Sequence, residues 1–367
     1  MTVAPIRLGY VGCGFLAQHV HLPNFASLGG CRLIALAESR PQLGQEVAAR
    51  YGIPSVYRSH LDLAADSAVE AVAVSAGFAE QGEIAADLLR AGKHVFMEKP
   101  MAISLVQAER IIAAAREGGA RLMVAYMKRY DPGNELARRL VAEWKADGQM
   151  GEIVYARNHG FGGDWAAGLD LAQQITTDEP VERGSYAEHL PAWLPDSMGQ
   201  HYVDYVQQYT HNVNLLRYLL GVTDDACARA AHLGADGTSG VAVLELGGTR
   251  ATVESGGVTH HFWDEHTQVY FRNGWIHVFS PPLMAKSTPA RLEVYRGGAH
   301  PSYSHPIPEP STGWSFREEA AFFLNALRKD LAFRSDGEDT LTDVRLCEEI
   351  YRHHVRRLSE ETNSGDA

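Results

Sequence analysis

About the first 125 residues alternate short apolar runs with segments of helical periodicity. The apolar runs predict strands at residues 7–11, 32–37, 71–75, 94–97 and 122–126. The periodic segments predict helices at residues 41–51, 80–91, 104–117 and 134–147. Such alternation of strand and helix is typical of a parallel sheet whose strands are joined by crossover helices. The pattern therefore predicts an α/β fold for this part of the chain.

The pattern changes after residue 150. An alternating segment predicts a strand at 152–158, residues 160–200 are rich in Gly, Pro and polar side chains, and a helix is predicted at 202–220. Further strands are predicted at 241–246, 250–255, 267–272 and 275–279, with the hairpin turn Asn273-Gly274 between the last two. Closing helices are predicted at 316–329 and 341–358. The pattern after residue 150 therefore predicts an α+β domain with an open mixed or antiparallel sheet.

A glycine-rich turn follows the first predicted strand. The sequence GCGFLA at residues 12–17 matches the G-x-G-x-x-G/A turn of a Rossmann dinucleotide-binding unit. Gly12 permits the tight turn, Gly14 lets the backbone approach a pyrophosphate, and Ala17 lets the helix pack close to the strand. The first N–H groups of the helix then offer a partial positive charge to the phosphates.

An acidic residue ends the second predicted strand. Glu38 follows Ala17 at about the spacing, ~20 residues, at which a Rossmann unit places the carboxylate that binds the adenosine ribose hydroxyls. A carboxylate there repels a 2′-phosphate, which favours NAD as the cofactor. NADP stays possible, because Arg40 could pair with a 2′-phosphate. The alternative is that Glu38 is a solvated acid at a strand end.

The composition narrows the class of protein. The 367 residues carry a formal net charge of −12 without a run of Lys and Arg, which argues against a nucleic-acid-binding surface. Cys13, Cys31, Cys227 and Cys347 form no C-x-x-C pair, which suits a reducing cytosol without a structural zinc or a disulfide framework. The sequence enters its first strand without a leader, and no apolar run approaches the ~20 residues of a membrane span. We therefore expect a cytoplasmic enzyme.

The chain resembles the glucose-fructose oxidoreductase / inositol dehydrogenase / MocA family of oxidoreductases over nearly its whole length. The most specific phrase is AGKHVFMEKPMAIS at 91–104, joined by VAYMKRYDP at 124–132, MGEIVYAR at 150–157 and THNVNLLRYLLG at 210–221. The resemblance implies a Rossmann domain at residues 1–127 and a substrate-binding and oligomerisation domain at 128–367. It also implies that the last helix, 341–358, packs back on the first domain. The C-terminal sheet is then the interface of a homodimer or a homotetramer.

The resemblance also implies site residues. Lys99 and His211 match the family's active-site lysine and histidine, whereas Gln207 stands where the family usually has Asp. Because Gln can hold a hydroxyl but cannot take its proton, we expect His211 to carry the proton itself. The predicted substrate-binding residues are Gln207, Asn214, Arg129, Tyr130 and Trp165. The predicted cofactor-binding residues are Gly12, Gly14, Phe15, Leu16, Ala17, Glu38, Ser39, Arg40, Ser75, Ala76, Gln81, Glu98, Lys99 and Met127.

Structural roles stay open for several of these residues. Lys99 could be a strand-end lysine and His211 a helix-packing histidine. Arg129 and Tyr130 could pack between domains, and Trp165 could belong to an ordered surface loop.

A second set of histidines invites a metal site. His260 and His261 lie close in sequence to Asp264 and His266. Their spacing matches no familiar zinc pattern, so we predict no metal.

Three functions are compatible with these motifs. The first is an NAD(P)-dependent dehydrogenase or reductase that acts on a sugar, an amino sugar or a cyclitol. The second is a glycosidase or lyase that retains NAD and oxidises its sugar transiently. The third is a non-catalytic sensor that binds a dinucleotide and a partner protein. The presence of both Lys99 and His211 favours an enzyme.

Overall fold

The computed structural model describes residues 4–166, 169–181, 184–257 and 263–365, and the chain divides into two compact units. The first unit comprises Met1–Tyr126, Asp170–Leu190 and Phe316–Leu341. The second unit comprises Met127–Leu169, Pro191–Ser315 and Thr342–Ala367. The first unit thus includes two later segments that the boundary proposed from the resemblance did not assign to it. The functional domains themselves stay a prediction.

The described residues of the first unit contain a six-stranded parallel sheet. Its strands are β1 (Ile6–Val11), β2 (Cys31–Ala37), β3 (Ser55–Tyr57), β4 (Ala71–Val74), β5 (His94–Glu98) and β6 (Leu122–Ala125). The strand order is β3-β2-β1-β4-β5-β6, so the order reverses between β1 and β4. Ligands of open α/β sheets bind at such a reversal, beyond the carboxyl ends of the strands. The predicted Rossmann-type sheet is confirmed.

Helices connect these strands and continue into the second unit. A π-helical turn (Ala17–His21) leads into α1 (Leu22–Ser27). The other α-helices of the described residues are α2 (Pro41–Tyr51), α3 (His60–Ala65), α4 (Gln81–Arg90), α5 (Leu105–Glu117), α6 (Pro132–Asp147), α7 (Gly199–Leu220), α8 (Ser315–Lys329) and α9 (Gly337–Gly365). Over the ranges described, none of these helices combines the length and the apolarity needed to cross a bilayer.

Local sequence explains where several helices begin. The hydroxyl of Ser104 accepts a hydrogen bond from the N–H of Gln107 at 3.4 Å, so Ser104 is the N-cap that the sequence predicted for α5. Asp131 caps α6 by accepting from the N–H of Gly133 at 2.8 Å. β3 and α3 were not predicted, because three and six residues are too few to show a period.

An aromatic cluster forms part of the core of the first unit. The ring of Phe96 on β5 lies 5.5 Å from that of Phe25 on α1 and 5.5 Å from that of Phe323 on α8, centroid to centroid. Both pairs are edge-to-face, the arrangement that aromatic quadrupoles favour. This contact explains why α8, late in the sequence, belongs to the first unit.

The described residues of the second unit contain an eight-stranded sheet. Its strands are β7 (Ile153–Gly162), β8 (Ala226–Leu233), β9 (Gly240–Leu246), β10 (Thr249–Gly257), β11 (Asp264–Phe271), β12 (Gly274–Ser280), β13 (Arg291–Arg296) and β14 (Ser302–Ser304). β7 and β10 are parallel and the other neighbours are antiparallel, which confirms the predicted mixed sheet. The sequence did not predict β8, β13 and β14.

One face of this sheet is buried and the other is open. Along β7, Ala156 and Asn158 are buried, whereas Tyr155 and Arg157 are only half-buried. A Cβ at Gly160 would lie 2.4 Å from the side chain of Asn212 on α7. The buried face therefore packs against α7, and the half-buried side chains define what we call the open face.

Candidate functional site

The glycine turn leaves β1 at the point where the strand order reverses. Gly12 has a φ of +96°, and a Cβ there would lie 2.4 Å from the carbonyl oxygen of Ser75, so only glycine fits between β1 and β4. A Cβ at Gly14 would meet nothing within 4 Å. The exposed backbone of Gly14 therefore borders the open space that a pyrophosphate requires.

Glu38 lies at the end of β2 and is only 6% exposed. Its Oε1 accepts from the Arg40 Nε at 2.7 Å, and its Oε2 accepts from the Arg40 Nη2 at 3.0 Å and from the N–H of Cys13 at 2.8 Å. Burial raises the pKa of Glu38, but the hydrogen bonds from Arg40 and Cys13 outweigh burial and lower it below its ordinary value. The Glu38 carboxylate is therefore ionised and lies against the glycine turn. Its burial excludes the alternative that Glu38 is a solvated acid at the end of a strand.

Lys99 follows the end of β5, where two side chains hold the backbone. The Gln81 Nε2 donates to the carbonyl oxygen of Glu98 at 2.6 Å and to that of Pro100 at 3.3 Å. The N–H of Lys99 donates to the Glu98 Oε2 at 3.1 Å. The Gln81 Oε1 is buried and has no partner among the described residues, so an acceptor is available at this strand end.

Segment 170–181 is hydrogen-bonded to the same part of the first unit. The Gln18 Nε2 donates to the carbonyl oxygen of Ile175 at 2.9 Å, and the N–H of Ile175 donates back to the Gln18 Oε1 at 2.8 Å. The Glu179 carboxylate accepts from two backbone N–H groups in the first turn of α2 at 3.0 and 3.1 Å. Sequence reasoning missed these contacts, because a polar loop gives no signal for the surface against which it packs.

The remaining predicted cofactor residues occupy several positions. Phe15, Leu16, Ser75 and Ala76 are half-buried, Ser39 is exposed, and Ala17 is buried in the π-helical turn. Met127 is buried and belongs to the second unit. Their contacts with a cofactor stay predictions.

His211 lies in the second unit on α7 and is 5% exposed. Gln207, one helical turn earlier on the same face, is half-buried. Beside His211, the Asn212 Nδ2 donates to the Asn158 Oδ1 at 2.6 Å, and the Asn158 Nδ2 donates to the Thr267 Oγ1 at 2.7 Å. These bonds fix the position of this turn of α7 on the sheet.

A buried network surrounds Asn214. Its Oδ1 accepts from the Arg129 Nε at 2.8 Å, and its Nδ2 donates to the Asp343 Oδ2 at 2.6 Å. The Arg217 Nε lies 3.3 Å from the Asp343 Oδ1, and both side chains are fully buried. Asn214 is therefore held inside this network, and its binding of a substrate stays a prediction.

The other predicted substrate residues differ in exposure. Arg129 and Tyr130 are 3% and 1% exposed, and their binding of a substrate stays a prediction. Trp165 is 40% exposed, and its binding of a substrate stays a prediction.

Part of the sequence-predicted histidine group is described. His260 and His261 lie outside the described residues. The Asp264 carboxylate lies 3.2 Å from the His266 Nδ1 and 3.5 Å from the His159 Nε2, on the open face of the second sheet. Burial and the neighbouring His159 lower the pKa of His266. Asp264 and His266 are therefore hydrogen-bonded to each other, and the absence of a metal stays a prediction.

Comparison with known proteins identifies similar proteins for the first unit and for the whole fold. Residues 6–126 match a family model described as an oxidoreductase family with an NAD-binding Rossmann fold. The chain is 25% identical over 303 residues to an inositol 2-dehydrogenase from Burkholderia vietnamiensis, a match that covers 79% of this chain and 78% of the relative.

Two solved structures share the fold over nearly the whole chain. An aldose-aldose oxidoreductase from Caulobacter crescentus, complexed with glycerol, has a TM-score of 0.71 at 20% identity and covers 96% of this chain and 98% of its own. A 3-ketoreductase from Actinomadura kijaniata, in complex with NADP and TDP-benzene, has a TM-score of 0.69 at 21% identity and covers 95% and 98%. At these identities the likeness shows the fold alone.

The glycine turn gives a prediction about cofactor binding. Gly14→Ala should leave the melting temperature of the cofactor-free protein unchanged, because its Cβ meets open space. The methyl group should weaken NAD binding by about tenfold or more, or ~1.4 kcal/mol, because it occupies the approach of the pyrophosphate. Calorimetric titration with NAD measures this loss. Gly29→Ala is the matched control, since its Cβ also meets nothing within 4 Å and lies away from the turn. Equal affinities in both variants would contradict the site.

Proposed function

Residues 6–126 belong to the NAD-binding Rossmann fold of the glucose-fructose oxidoreductase / inositol dehydrogenase / MocA family, and from this premise we propose an NAD(P)-dependent oxidoreductase. The proposed reaction interconverts a secondary alcohol and a ketone on a sugar, an amino sugar or a cyclitol. The observation that carries the proposal is the strand-end edge of the first unit, where the glycine turn, Glu38 and Lys99 follow parallel strands. The similarity to an inositol 2-dehydrogenase supports a polyol as the substrate class.

NAD is the cofactor we propose, with NADP as the alternative. When bound, the nicotinamide accepts or supplies the hydride. The open space beside the Gly14 backbone and the Gln81 Oε1, an acceptor without a partner among the described residues, fit a bound dinucleotide. Arg40 forms a two-point ion pair with Glu38, and a 2′-phosphate would have to compete with that pair for the guanidinium. The pairing therefore supports NAD.

Lys99 is the residue we propose to hold the reacting oxygen. Its backbone is fixed through Glu98 and Gln81, so the side chain starts from a defined point. An ammonium group donates hydrogen bonds to a hydroxyl oxygen and stabilises the negative charge that develops when the hydroxyl proton leaves. Lys99 thus supplies orientation and charge stabilisation.

His211 is the proton acceptor we propose. An imidazole changes its protonation state near neutral pH, which suits a general base. Gln207 lies on the same face of α7, where its amide can bind a second hydroxyl but cannot accept a proton. The proton of the reacting hydroxyl therefore passes to the imidazole in this proposal.

A second candidate function has one observation in its favour. In that case the protein retains its cofactor and acts as a glycosidase or lyase through transient oxidation of a sugar. Segment 170–181 is hydrogen-bonded to Gln18 and to the start of α2, the two elements that flank the proposed adenosine site. A segment held there would slow the exchange of the cofactor.

Turnover with a panel of sugars, amino sugars and cyclitols tests the proposal. The absorbance of reduced nicotinamide should change with at least one of them. Lys99→Met should lower kcat by ~10²–10³-fold, the usual effect of removing one charge-stabilising donor. Lys329→Met, which changes an exposed lysine on α8, should keep the full rate.

Two outcomes would contradict this reading. Equal rates for the two lysine variants would remove Lys99 from the site. Release of a sugar product with retained cofactor and no net absorbance change would support the second candidate instead.

We also propose a homo-oligomer that forms through the open face of the second sheet. On this face the ring of Trp275 stacks 3.9 Å from that of His277 and lies 6.0 Å from that of Tyr295. Aromatic side chains are enriched in protein interfaces. Burial lowers the pKa of His277 to about 4, so this imidazole carries no charge at neutral pH that association would have to desolvate.

The cytoplasm is the location we propose. The cysteines at positions 13, 31, 227 and 347 are all free thiols. Free thiols persist in a reducing compartment.

Trp275→Asp should reduce the mass in solution to that of one chain, 40.2 kDa, because association would bury the new carboxylate. Light scattering coupled to size-exclusion chromatography measures this mass. Trp165→Asp is the control, since it changes a tryptophan outside the sheet. A wild-type protein that elutes as one chain, or a Trp275→Asp variant with unchanged mass, would refute this assembly.

A further inference from the structure

Three titratable side chains meet inside the first unit behind the strand end that carries Lys99. His21 from the π-helical turn, Glu98 from β5 and Glu319 from α8 are 1%, 5% and 0% exposed. One ligand-type atom from each lies within 4.8 Å of the others. The His21 Nε2 is hydrogen-bonded to the Glu98 Oε1 at 2.6 Å. Both oxygens of Glu319 lack a hydrogen-bond partner among the described residues.

A proton explains this cluster better than a metal ion does. A cation bound by both His21 and Glu98 at the usual ligand distances of ~2.0–2.2 Å would push the two ligand atoms apart, whereas they are already in direct contact. Two ionised carboxylates that are buried at this separation would repel each other strongly. A proton on Glu319 removes that repulsion. The Glu98 carboxylate then remains as the hydrogen-bond partner of the His21 imidazole.

The surroundings of the cluster support the same reading. The ring of His21 lies 5.4 Å from that of Phe96 and 6.1 Å from that of Phe316, both edge-to-face. Burial, together with the charge of Glu98, raises the pKa of Glu319 well above its ordinary value. Tyr10 on β1 also lies near the cluster, with its ring 6.5 Å from that of His21, and burial raises the pKa of Tyr10 so that it is neutral.

We propose that Glu319 is a neutral carboxylic acid in the folded protein, and that Glu319 and His21 act as positioning residues for the strand end that carries Lys99. The connection runs through Glu98. One oxygen of Glu98 is held by His21, and the other accepts the backbone N–H of Lys99. A second negative charge on Glu319 would push the Glu98 carboxylate out of this position.

The stability of the protein against pH tests the charge of Glu319 without any assay of activity. Because the folded-state pKa is raised, the contribution of Glu319 is complete below its unfolded pKa, ordinarily 4.5, and is lost as the pH rises towards the folded value. Glu319→Gln stays neutral at every pH. Above about pH 5, for as long as Glu319 keeps its proton in the folded protein, the wild type should therefore lose up to about tenfold per pH unit in its folding equilibrium constant relative to this variant. Urea unfolding followed by tryptophan fluorescence measures the difference.

Glu318→Gln is the matched control, since it changes the neighbouring half-buried glutamate, and it should give no comparable drift with pH. A Glu319→Gln variant that is less stable than the wild type at neutral pH, with no drift in the predicted direction, would overturn the proposal. Zn²⁺ or Mn²⁺ retained in stoichiometric amount by the wild type but not by Glu319→Gln would overturn it as well, in favour of a metal site.

A measurement on the wild type does not depend on whether the variant folds. Infrared spectroscopy at about pH 8 should show the carbonyl stretch of a protonated carboxylic acid, because solvated carboxyls are ionised there. Burial raises the pKa of Asp131 only to about 6, so Asp131 does not contribute at that pH. Absence of the band would reject a neutral Glu319.

The positioning role rests on the proposed function of Lys99 and has its own test. His21→Ala should lower kcat by ~10–100-fold with KM nearly unchanged, the effect of a small misplacement of a catalytic group. His21→Gln, whose amide nitrogen can replace the Nε2 donor, should restore most of the rate. Equal losses in both variants, or a change confined to KM, would reject the positioning role. If neither the wild type nor any variant turns over a substrate, the proposed function fails. The stability test still decides the charge of Glu319 in that case.

Discussion

The parallel pairing of β1 with β2 on one side and with β4 on the other decides where the polar groups of the first unit lie. Parallel strands end at the same edge of a sheet, so the residues after β1, β2, β4 and β5 are neighbours although they are far apart in sequence. The contact between Gly12 and Ser75 shows how close these ends come. The glycine turn, Glu38 and Lys99 therefore lie at one edge because of strand pairing.

Two buried carboxylates mark this edge, and each is stabilised differently. Glu38 is neutralised by Arg40 and receives an N–H from the glycine turn. Glu98 is held between an imidazole and the N–H of Lys99. A buried charge is costly unless it is paired and hydrogen-bonded, so both partners are part of the fold as much as of the site. The proposed chemistry of Lys99 depends on this arrangement of Glu98.

The sequence was sufficient for features that depend on local rules. The N-cap at Ser104, the strands of the parallel sheet and the place of Glu38 beside the glycine turn follow from short-range patterns. Glu319 could not be found in this way, because on the periodic pattern of α8 it is one acid among others and its partner His21 is nearly 300 residues away. The same holds for segment 170–181, whose hydrogen bonds to Gln18 and α2 depend on tertiary packing.

The central claim is that the strand-end edge binds a dinucleotide with its adenosine ribose at Glu38. Equilibrium binding of NAD and NADP to the wild type and to Glu38→Gln tests this claim most directly. We predict that the wild type binds NAD more tightly and that the variant loses about tenfold of this preference, because the amide no longer repels a 2′-phosphate. A preference for NAD that is the same in both proteins, or a wild type that prefers NADP, would contradict the account.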